Sequence, residues 1–366
     1  MYVYNDITTD ARVQRAASAL SEDFELTLIS TQKGKSVSDK EYNNILVGGR
    51  YQGALNIVET IFAAWRIIRK QSPDIVYCHD YYSAILAYLL IKTKFPGKLV
   101  YDAHELMIPE NGRNDRRLNF FYWFEKRIVK RVNLLICASE QRGDIMKEHY
   151  ELNDNPIVVQ NISQLQINDD DPEVKNILDS LKDFFCSSKI TVVYAGAVTS
   201  SRRIDVLLSA VISMPSRYKL LIIGKGDALE TMRETAATHP ELTSAFTGVI
   251  PYKCLGSILS RCDIGFLYYP SDTLNNRNCA SNKIFEYASV GLPMLANENP
   301  TVMRIFKESH LGVSTDKFEE GLTHIAEERD FYKDNCLLYT LSNQWKDEAE
   351  RLKQAISAIF EREYQS

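Results

Sequence analysis

The chain has 366 residues, a length that favours two domains of ordinary size over a single core. Apolar residues make up 45% of it and charged residues 25%, which are the proportions of a globular protein with packed cores. The formal net charge is −5, so the composition excludes a protein that binds nucleic acid through an overall basic surface. No apolar run approaches the roughly 18 residues of a membrane-spanning helix. The seven cysteines form no CxxC pair, so we expect buried thiols in a reducing cytoplasm.

Short β-branched and aromatic runs alternate with amphipathic stretches from the start of the chain. Strands are predicted at 1–4, 24–30, 44–48, 74–78, 98–102, 133–138 and 156–160, with helices near 10–20, 53–71, 82–93, 115–131 and 139–149. This alternation predicts a parallel sheet with helices on both faces.

A second alternating block follows residues 162–187, which break the pattern and are predicted to be a connector. Its strands are predicted at 189–195, 218–223, 243–247, 263–267, 293–297 and 311–313, and a last helix near 344–363. The sequence therefore predicts an α/β protein with two doubly wound, Rossmann-like domains that face a cleft. We expect these domains at residues 1–165 and 166–343, with 344–366 as a helix that packs back toward the N-terminal domain. Ligands of such sheets bind at the carboxyl ends of the strands.

Arg12 lies in the first turn of the first predicted helix, where a basic residue opposes the helix dipole. An anion or an acceptor group would explain its position. The alternative is a surface ion pair with Asp6 or Asp10.

Two histidines lie at the ends of neighbouring predicted strands, each followed by an acidic residue. These are His79-Asp80 and His104-Glu105. Because the carboxyl ends of strands carry the chemistry in this architecture, all four side chains are expected to line a site.

Residues 279–293 read Cys-Ala-Ser-Asn-Lys-Ile-Phe-Glu-Tyr-Ala-Ser-Val-Gly-Leu-Pro and predict a helix with Ser281 or Asn282 as its N-cap. Asn282, Glu286 and Ser289 fall on one polar stripe. Free amides in the first turn suit an anion, and Glu286, one turn further along, can accept a hydrogen bond from a sugar hydroxyl. The alternative is an ordinary capped helix whose Glu286 faces water.

Two loops that follow predicted strands add glycine and basic residues. Gly196 ends one strand and is followed by Arg202 and Arg203, whose guanidinium groups can grip a diphosphate. Gly224 and Gly226 follow the next strand, but a Gly-x-Gly pair alone is weak evidence for dinucleotide binding.

These segments resemble the family 4 retaining glycosyltransferases, which have the two-domain GT-B fold. The run from Ser281 to Tyr287, followed by Gly291-Leu292-Pro293, is similar to the family's donor-site signature. In that signature the Glu at the position of Glu286 holds the ribose of a nucleotide sugar. The resemblance extends over nearly the whole chain.

The resemblance implies roles for residues elsewhere. His104 would contact the donor sugar near the reacting carbon, and Arg202 would touch the phosphates. The loop that contains Val249 and Ile250 would pair with the nucleobase through its backbone, which suits a uracil edge. The family has the same glycine pair as Gly224 and Gly226, whose close backbone would help to shape the cleft.

The chain departs from the family pattern at two positions. Ala197 stands where many members have an Arg, so Arg203 or Lys283 is expected to complete the phosphate clamp. Asn278 stands where an acidic residue commonly contacts the donor sugar, eight places before Glu286. Arg277 and Asn278 are expected to line the sugar pocket.

The predicted site residues fall into three groups. The catalytic group is His104, Arg202, Lys283 and Glu286. The donor-binding group is Gly196, Arg202, Arg203, Gly224, Gly226, Val249, Ile250, Asn278, Ser281, Asn282, Lys283 and Glu286. The acceptor-side group is Arg12, His79, Asp80 and Glu105.

The implied activity is a retaining hexosyl- or N-acetylhexosaminyltransferase that uses a UDP-sugar and a glycan or lipid-linked acceptor. No Asp-x-Asp follows a strand, so we expect neither a metal nor a cofactor, and Arg202, Lys283 and the amides of 281–284 would stabilise the leaving diphosphate. The alternatives are a nucleotide-sugar 2-epimerase, a dinucleotide-dependent oxidoreductase and a non-catalytic nucleotide-sugar-binding subunit.

Residues 113–131 contain seven basic and two acidic residues beside five consecutive aromatic residues, at positions 120–124. This composition suits the headgroup region of an anionic membrane, and predicts a peripheral protein at the inner face of the cell membrane. The alternative is a core helix whose aromatic side chains pack on the sheet.

Overall fold

The computed structural model describes residues 1–7, 10–31, 42–110, 112 and 115–361. They form two compact units: Met1–Asn161 together with the chain from Trp345 onward, and Ile162–Gln344. Each unit holds one sheet of parallel strands connected by helices. The predicted α/β class with two doubly wound sheets is therefore confirmed.

The first unit is built from seven strands and six helices within the described residues. Its strands are β1 (Tyr2–Val3), β2 (Thr27–Ser30), β3 (Asn43–Leu46), β4 (Ile75–His79), β5 (Lys98–Ala103), β6 (Leu134–Cys137) and β7 (Ile157–Val158). Its helices are α1 (Ala11–Ser21), α2 (Ala54–Gln71), α3 (Asp80–Lys92), α4 (Arg116–Ile128), α5 (Glu140–Tyr150) and the C-terminal α16 (Trp345–Glu361).

The strand order β3-β2-β1-β4-β5-β6-β7 fixes which face of this sheet each helix covers. Right-handed crossovers place α1 on one face and α2 to α5 on the other. The C-terminal helix α16 packs on α1, where Leu352 and Ile356 join Ala16 and Leu20 in one apolar cluster. The predicted return of the last helix to the N-terminal sheet is confirmed.

The second unit is built from six strands and ten α-helices within the described residues. Its strands are β8 (Ile190–Ala195), β9 (Tyr218–Ile223), β10 (Ser244–Gly248), β11 (Ile264–Leu267), β12 (Met294–Ala296) and β13 (Gly312–Ser314). Its first helices are α6 (Pro172–Ser180), α7 (Lys182–Cys186), α8 (Ile204–Ile212), α9 (Leu229–Ala237) and α10 (Tyr252–Leu259). They are followed by α11 (Leu274–Arg277), α12 (Asn282–Ser289), α13 (Pro300–Ser309), α14 (Phe318–Glu327) and α15 (Arg329–Ser342).

The order of this sheet is β10-β9-β8-β11-β12-β13, and successive residues of its strands supply two cores. Val193 and Leu221 belong to the cluster on one face, whereas Val192 and Leu220 belong to the cluster on the other. Side chains alternate in this way along any strand. The sheet is therefore buried on both faces, as its near-continuous apolar strands predict.

The predicted connector 162–187 is wrong, because most of it is helical. The helix α6 begins at Pro172, and the Asp171 carboxylate caps it by accepting a hydrogen bond from Glu173 N at 2.8 Å. A capping Asp followed by Pro at the first helical position is a helix-start signal that was present in the sequence. The short α7 follows directly.

The boundaries of the two units also differ from those predicted. The first unit ends at Asn161 rather than at 165, because Ile162 and Ser163 are buried and Leu165 packs into the core of the second unit. The second unit ends at Gln344, one residue beyond the predicted 343.

Within the described residues, no helix combines the length and the apolar character that crossing a bilayer requires.

Candidate functional site

Three strand ends of the second unit approach one another closely through glycines. Gly196, Gly224 and Gly248 lie at or just beyond the ends of β8, β9 and β10. The Gly224 amide donates to the Gly248 carbonyl at 2.8 Å. A Cβ on Gly224 would lie 1.8 Å from the Gly196 carbonyl oxygen, and one on Gly226 would lie 2.0 Å from that of Val198. Only glycine permits these close backbone approaches, which bring the three loops together.

Two cationic side chains lie beside this glycine corner. A Cβ built on Gly196 would fall 2.7 Å from Lys283 Nζ, and the Lys283 ammonium lies 5.4 Å from the centre of the Tyr194 ring. The Arg202 guanidinium lies over the Tyr269 ring, 4.8 Å from its centre. Burial, and then the charge of Arg202, lowers the pKa of Lys283 to about 8. An anion bound here would relieve both the desolvation and the repulsion.

The N-terminus of α12 faces the same corner, because the Tyr287 hydroxyl accepts a hydrogen bond from Ala195 N at 3.0 Å and so fixes this helix to β8. Ser281 occupies the N-cap position, but its hydroxyl is hydrogen-bonded to Tyr269 OH and does not cap the helix. The predicted side-chain cap is therefore wrong. The lack of this cap favours an anion site, since the amides from Asn282 onward are not satisfied by the Ser281 side chain.

Glu286 lies one turn into α12, and its carboxylate is already hydrogen-bonded inside the second unit. Its Oε1 accepts from Tyr252 OH at 3.1 Å and from Ser163 Oγ at 3.5 Å. The alternative in which Glu286 simply faces water is wrong. Neither Tyr252 nor Ser163 was predicted to take part, because nothing in a linear pattern shows that these three segments meet.

The remaining predicted donor residues differ in how they are held. Arg203 pairs with Asp205 at 3.1 Å and is half exposed, so the structure does not bring it to Lys283. The Asn278 side-chain amide donates to the Leu274 carbonyl at 2.9 Å. Arg277 donates to the Ser271 carbonyl at 3.3 Å.

The predicted nucleobase loop borders an open cleft of about 590 Å³. Val249, Ile250 and Pro251 form one wall, and α6 forms the other with side chains that include Glu173 and Asn176. Val249 is exposed and Ile250 is half-buried. The α6 wall was missed because that segment was interpreted as a connector.

In the first unit, Arg12 is buried in an ion pair that joins α1 to β5. Arg12 Nη2 and Nε donate to the two oxygens of Asp102 at 2.7 and 3.1 Å, and Nη1 donates to the Val159 carbonyl at 2.8 Å. The predicted alternative partners, Asp6 and Asp10, are not those that it uses. Arg12 is only 6% exposed, so any effect on an acceptor is transmitted through Asp102.

Asp102 also gathers both predicted histidines. Its Oδ2 lies 3.4 Å from His79 Nδ1 and 3.5 Å from His104 Nε2, and it accepts from Tyr77 OH at 3.1 Å. Burial alone would raise the pKa of Asp102, but Arg12 and the histidines hold it well below the usual range. Burial alone would lower the pKa of His104, but the Asp102 carboxylate outweighs it and raises that pKa. Burial lowers the pKa of His79 to about 4, so this ring is neutral.

Asp80 and Glu105 stand beside this cluster. Asp80 begins α3 at a φ of +66°, a strained backbone conformation for a residue with a side chain. Within the described residues its Oδ1 is buried without a hydrogen-bond partner, and burial raises the Asp80 pKa to about 6. Glu105 is exposed. The structure thus brings His79 and His104 together at neighbouring strand ends, with Asp80 buried close by and Glu105 exposed.

His79, Asp102 and His104 also form the one group in the described part of the chain whose ligand atoms lie close enough to hold a metal ion, within 4.8 Å of one another. The Arg12 guanidinium, however, occupies both oxygens of Asp102. A divalent cation placed there would meet a fixed positive charge, so the arrangement is better explained as a buried ion pair.

Known proteins are similar to this chain in sequence over part of the first unit and in fold over nearly the whole length. Residues 11–161 match the family model described as Glycosyltransferase Family 4. No curated protein matches the sequence significantly.

Several solved structures are similar over nearly the full length. HepE from Anabaena, in complex with UDP and glucose, is 12% identical, with 98% of each chain covered and a TM-score of 0.75. Sucrose-phosphate synthase from Thermosynechococcus elongatus is 14% identical, with 96% of this chain and 93% of that chain covered and a TM-score of 0.72. WaaG, a glycosyltransferase involved in lipopolysaccharide biosynthesis, is 14% identical, with 96% of each chain covered and a TM-score of 0.70. At these identities the likeness shows the fold.

Proposed function

The match over residues 11–161 and the GT-B fold confirm the predicted resemblance to the family 4 glycosyltransferases, and on that premise we propose that this protein is a glycosyltransferase. It moves a hexosyl or N-acetylhexosaminyl group from a UDP-sugar to a glycan or lipid-linked acceptor, with retention of configuration. The structures of Anabaena HepE with UDP and with UDP-glucose support the choice of donor.

The observation that carries this proposal is the cationic corner at the N-terminus of α12. Lys283 lies against Gly196, and Arg202 is close enough to contribute to the lowered pKa of Lys283. Glu286 follows Lys283 by three residues on the same helix. A diphosphate at the corner would thus leave the attached ribose within reach of a carboxylate.

The proposed reaction is the front-face substitution with retention that the family resemblance implies. The bond between the anomeric carbon and the β-phosphate oxygen breaks, and a bond from the acceptor oxygen forms on the same face. The acceptor's proton passes to the departing phosphate oxygen. Lys283, Arg202 and the first amides of α12 stabilise the charge that grows on the diphosphate, so no metal is required. His104 is assigned to the donor sugar, as the resemblance implies.

Thermal unfolding with UDP-, GDP- and ADP-sugars tests the donor assignment. A ligand at 100 times its Kd stabilises a protein by about 2.7 kcal/mol, so the correct base gives a clear rise in Tm. Glu286→Ala is expected to nearly abolish transfer while the apo protein unfolds as before. Normal activity of that variant at both saturating and limiting donor would contradict the proposal. Loss of activity in EDTA with recovery in magnesium would contradict the metal-free reaction.

Two other functions would treat the same donor differently. A nucleotide-sugar 2-epimerase would form product without any acceptor, and a non-catalytic subunit would bind the donor without turnover. Ala197 and Asn278, which replace the family's usual residues, favour the latter if transfer is absent. A dinucleotide-dependent oxidoreductase would bind NAD(P), for which the Gly-x-Gly pair lacks the third glycine.

We also propose that the outer face of α2 and α4 docks on an anionic membrane. Phe120 is 53% exposed and Trp123 is 40% exposed, whereas Phe121 is buried, so the helix divides its aromatic side chains between core and surface. Leu55, Val58 and Phe62 are exposed on α2, which covers the same face of the sheet. Apolar area of this kind suits the boundary between headgroups and acyl chains.

Basic side chains accompany these apolar ones on α4 and just beyond it. Arg113 lies outside the described residues, and the others are exposed or half-buried: Arg116, Arg117, Lys126, Arg127, Lys130 and Arg131. Each is worth about 1 kcal/mol beside an anionic surface.

Co-sedimentation with vesicles tests the docking. Binding to vesicles with anionic lipid at low salt should be lost at high salt and in a double variant, Phe120→Ser with Trp123→Ser. The matched control is Leu338→Ser with Leu341→Ser, which removes two exposed leucines of α15 in the other unit. No binding at low salt, or binding unchanged by salt, would rule out this mode.

A further inference from the structure

Only one of the two carboxylate oxygens of Glu286 is hydrogen-bonded within the described residues. Oε1 lies 3.1 Å from Tyr252 OH and 3.5 Å from Ser163 Oγ, and the two hydroxyls are also hydrogen-bonded to each other. Each hydroxyl carries a single proton. The consistent arrangement is a relay in which Ser163 donates to the Tyr252 oxygen and Tyr252 donates to Glu286. It leaves Oε2 without a partner from the described part of the chain.

The segment that carries Ser163 also holds the backbone of Glu286. Leu165 N donates to Ser289 Oγ at 2.9 Å, and Ser289 Oγ donates to the Glu286 carbonyl at 2.7 Å. Ser163 itself is 3% exposed, so the surrounding residues hold its side chain in place. The polar stripe of α12 is therefore partly covered by residues 163–165, which hold the Glu286 carboxylate through Ser163 and its carbonyl through Ser289.

The hydroxyl of Tyr252 contributes little to packing. The Tyr252 side chain is 52% exposed, so replacement by Phe removes a hydrogen bond without opening a cavity. A free Glu side chain loses rotamer entropy when it is immobilised. A carboxylate that is already held does not lose this freedom again when a ligand binds.

We propose that Tyr252 and Ser163 are positioning residues, which hold one oxygen of Glu286 and present the other to the ribose hydroxyls of the donor. This role rests on the proposed function, in which Glu286 binds the ribose. Tyr252 and Ser163 act through Glu286 and do not themselves contact the donor.

A comparison of two proteins with two ligands separates positioning from a general structural effect. The proteins are wild type and Tyr252→Phe, and the ligands are UDP and 2′,3′-dideoxy-UDP, with each Kd measured by calorimetry. Wild type should prefer UDP by about tenfold or more, since hydrogen bonds to a charged group are worth about 1.5–3 kcal/mol. Tyr252→Phe should reduce that preference by about threefold to tenfold and leave the Kd of the dideoxy ligand nearly unchanged.

Two further variants complete the experiment. Ser163→Ala should reduce the preference for UDP in the same direction as Tyr252→Phe, by a smaller factor, because it acts one step further along the relay. Tyr332→Phe is the matched control, since Tyr332 lies on α15 and is buried in the core. It should leave the preference unchanged.

The outcomes separate the positioning role from the donor assignment. Equal weakening of both ligands by Tyr252→Phe, or no weakening at all, would overturn the positioning role while Glu286→Ala still abolishes the preference. If wild type and Glu286→Ala bind UDP and the dideoxy ligand alike, Glu286 does not contact the ribose. That result would overturn the donor assignment, and the positioning role with it.

Discussion

The ammonium group of Lys283 lies where a side chain on Gly196 would be. A Cβ built on Gly196 falls 2.7 Å from both Cε and Nζ of Lys283, closer than real Cβ contacts. Gly196 also has a φ of +144°, which residues with a side chain rarely adopt. The glycine at the end of β8 therefore makes room for the cation that is proposed to meet the diphosphate.

Gly196→Ala is expected to displace Lys283 and to weaken UDP binding by at least about tenfold, which is the loss of one charge-assisted hydrogen bond. Calorimetry with UDP measures this. Gly49→Ala is the matched control, because Gly49 also has a positive φ, of +101°, but faces open space. It introduces backbone strain alone. Unchanged UDP affinity in Gly196→Ala would show that Lys283 does not bind the phosphates.

The affinity for UDP should depend on pH through Lys283. Burial and the charge of Arg202 lower its pKa from 10.5 to about 8 in the free protein. The charged form that attracts a diphosphate is therefore present below about pH 8 and lost above it. We expect affinity to fall by about tenfold between roughly pH 7 and pH 9.5. Lys283→Arg keeps its charge throughout this range and should bind with a flat profile, whereas a flat wild-type profile would contradict the assignment.

The sequence predicted the sheets well because both are built from buried parallel strands, whose apolar runs are strong local signals. Strands β8 and β9 were predicted at 189–195 and 218–223 and lie at Ile190–Ala195 and Tyr218–Ile223. The failure at α6 has a different cause. Three aspartates before Pro172 were interpreted as a solvated connector, although Asp171 and Pro172 together are a helix start.

The candidate site was less predictable, because its contacts join distant parts of the chain. Arg12 was correctly singled out as a residue that opposes the helix dipole. Its partner Asp102 is 90 positions away and could not be chosen over Asp6 or Asp10 from spacing. The same limit applies to Glu286, whose partner Ser163 is 123 positions away. Local patterns identify polar residues at strand and helix ends, but they do not show which of these residues meet.

A buried acid on α4 predicts a second pH effect, on stability. Glu125 is 1% exposed, and its two oxygens accept hydrogen bonds from Tyr101 OH and Tyr150 OH, each at 2.7 Å. Burial raises the Glu125 pKa from 4.5 to about 7. A raised folded-state pKa contributes stability that is present below pH 4.5 and lost as the pH rises through 7.

Glu125→Gln mimics the protonated acid and cannot ionise. The unfolding free energy of Glu125→Gln minus that of wild type should rise by roughly 2–3 kcal/mol from acidic to neutral pH, as measured by urea unfolding. Glu151→Gln is the control, because Glu151 has an exposed side chain paired with Lys130 at 3.5 Å, and its effect should stay below about 1 kcal/mol at every pH. A constant difference between Glu125→Gln and wild type across the range would contradict the raised pKa.

Asp102 is expected to be the most sensitive position in the first unit. Its carboxylate balances the buried charge of Arg12, with donor distances of 2.7 and 3.1 Å, and it lies within 3.5 Å of a ring nitrogen of both histidines. Asp102→Asn keeps the shape but leaves Arg12 buried and uncompensated. Removing one partner of a buried ion pair costs about 3–5 kcal/mol, which urea unfolding at neutral pH should detect.

The same substitution should change the titration of His104, and this distinguishes the carboxylate's charge from its packing. Asp102 raises the pKa of His104 against the effect of burial, so in Asp102→Asn that pKa should fall below its wild-type value in NMR titration of the ring protons.

The folded-state pKa of Asp102 is itself depressed, so its contribution to stability is present above about pH 4 and is lost as the pH falls further. Wild type should therefore lose its advantage over Asp102→Asn in acid. Asp205→Asn is the control, since Asp205 forms an exposed pair with Arg203 that is worth at most about 1 kcal/mol. An unchanged His104 pKa together with a stability loss no larger than that of the control would show that Asp102 does not organise this cluster.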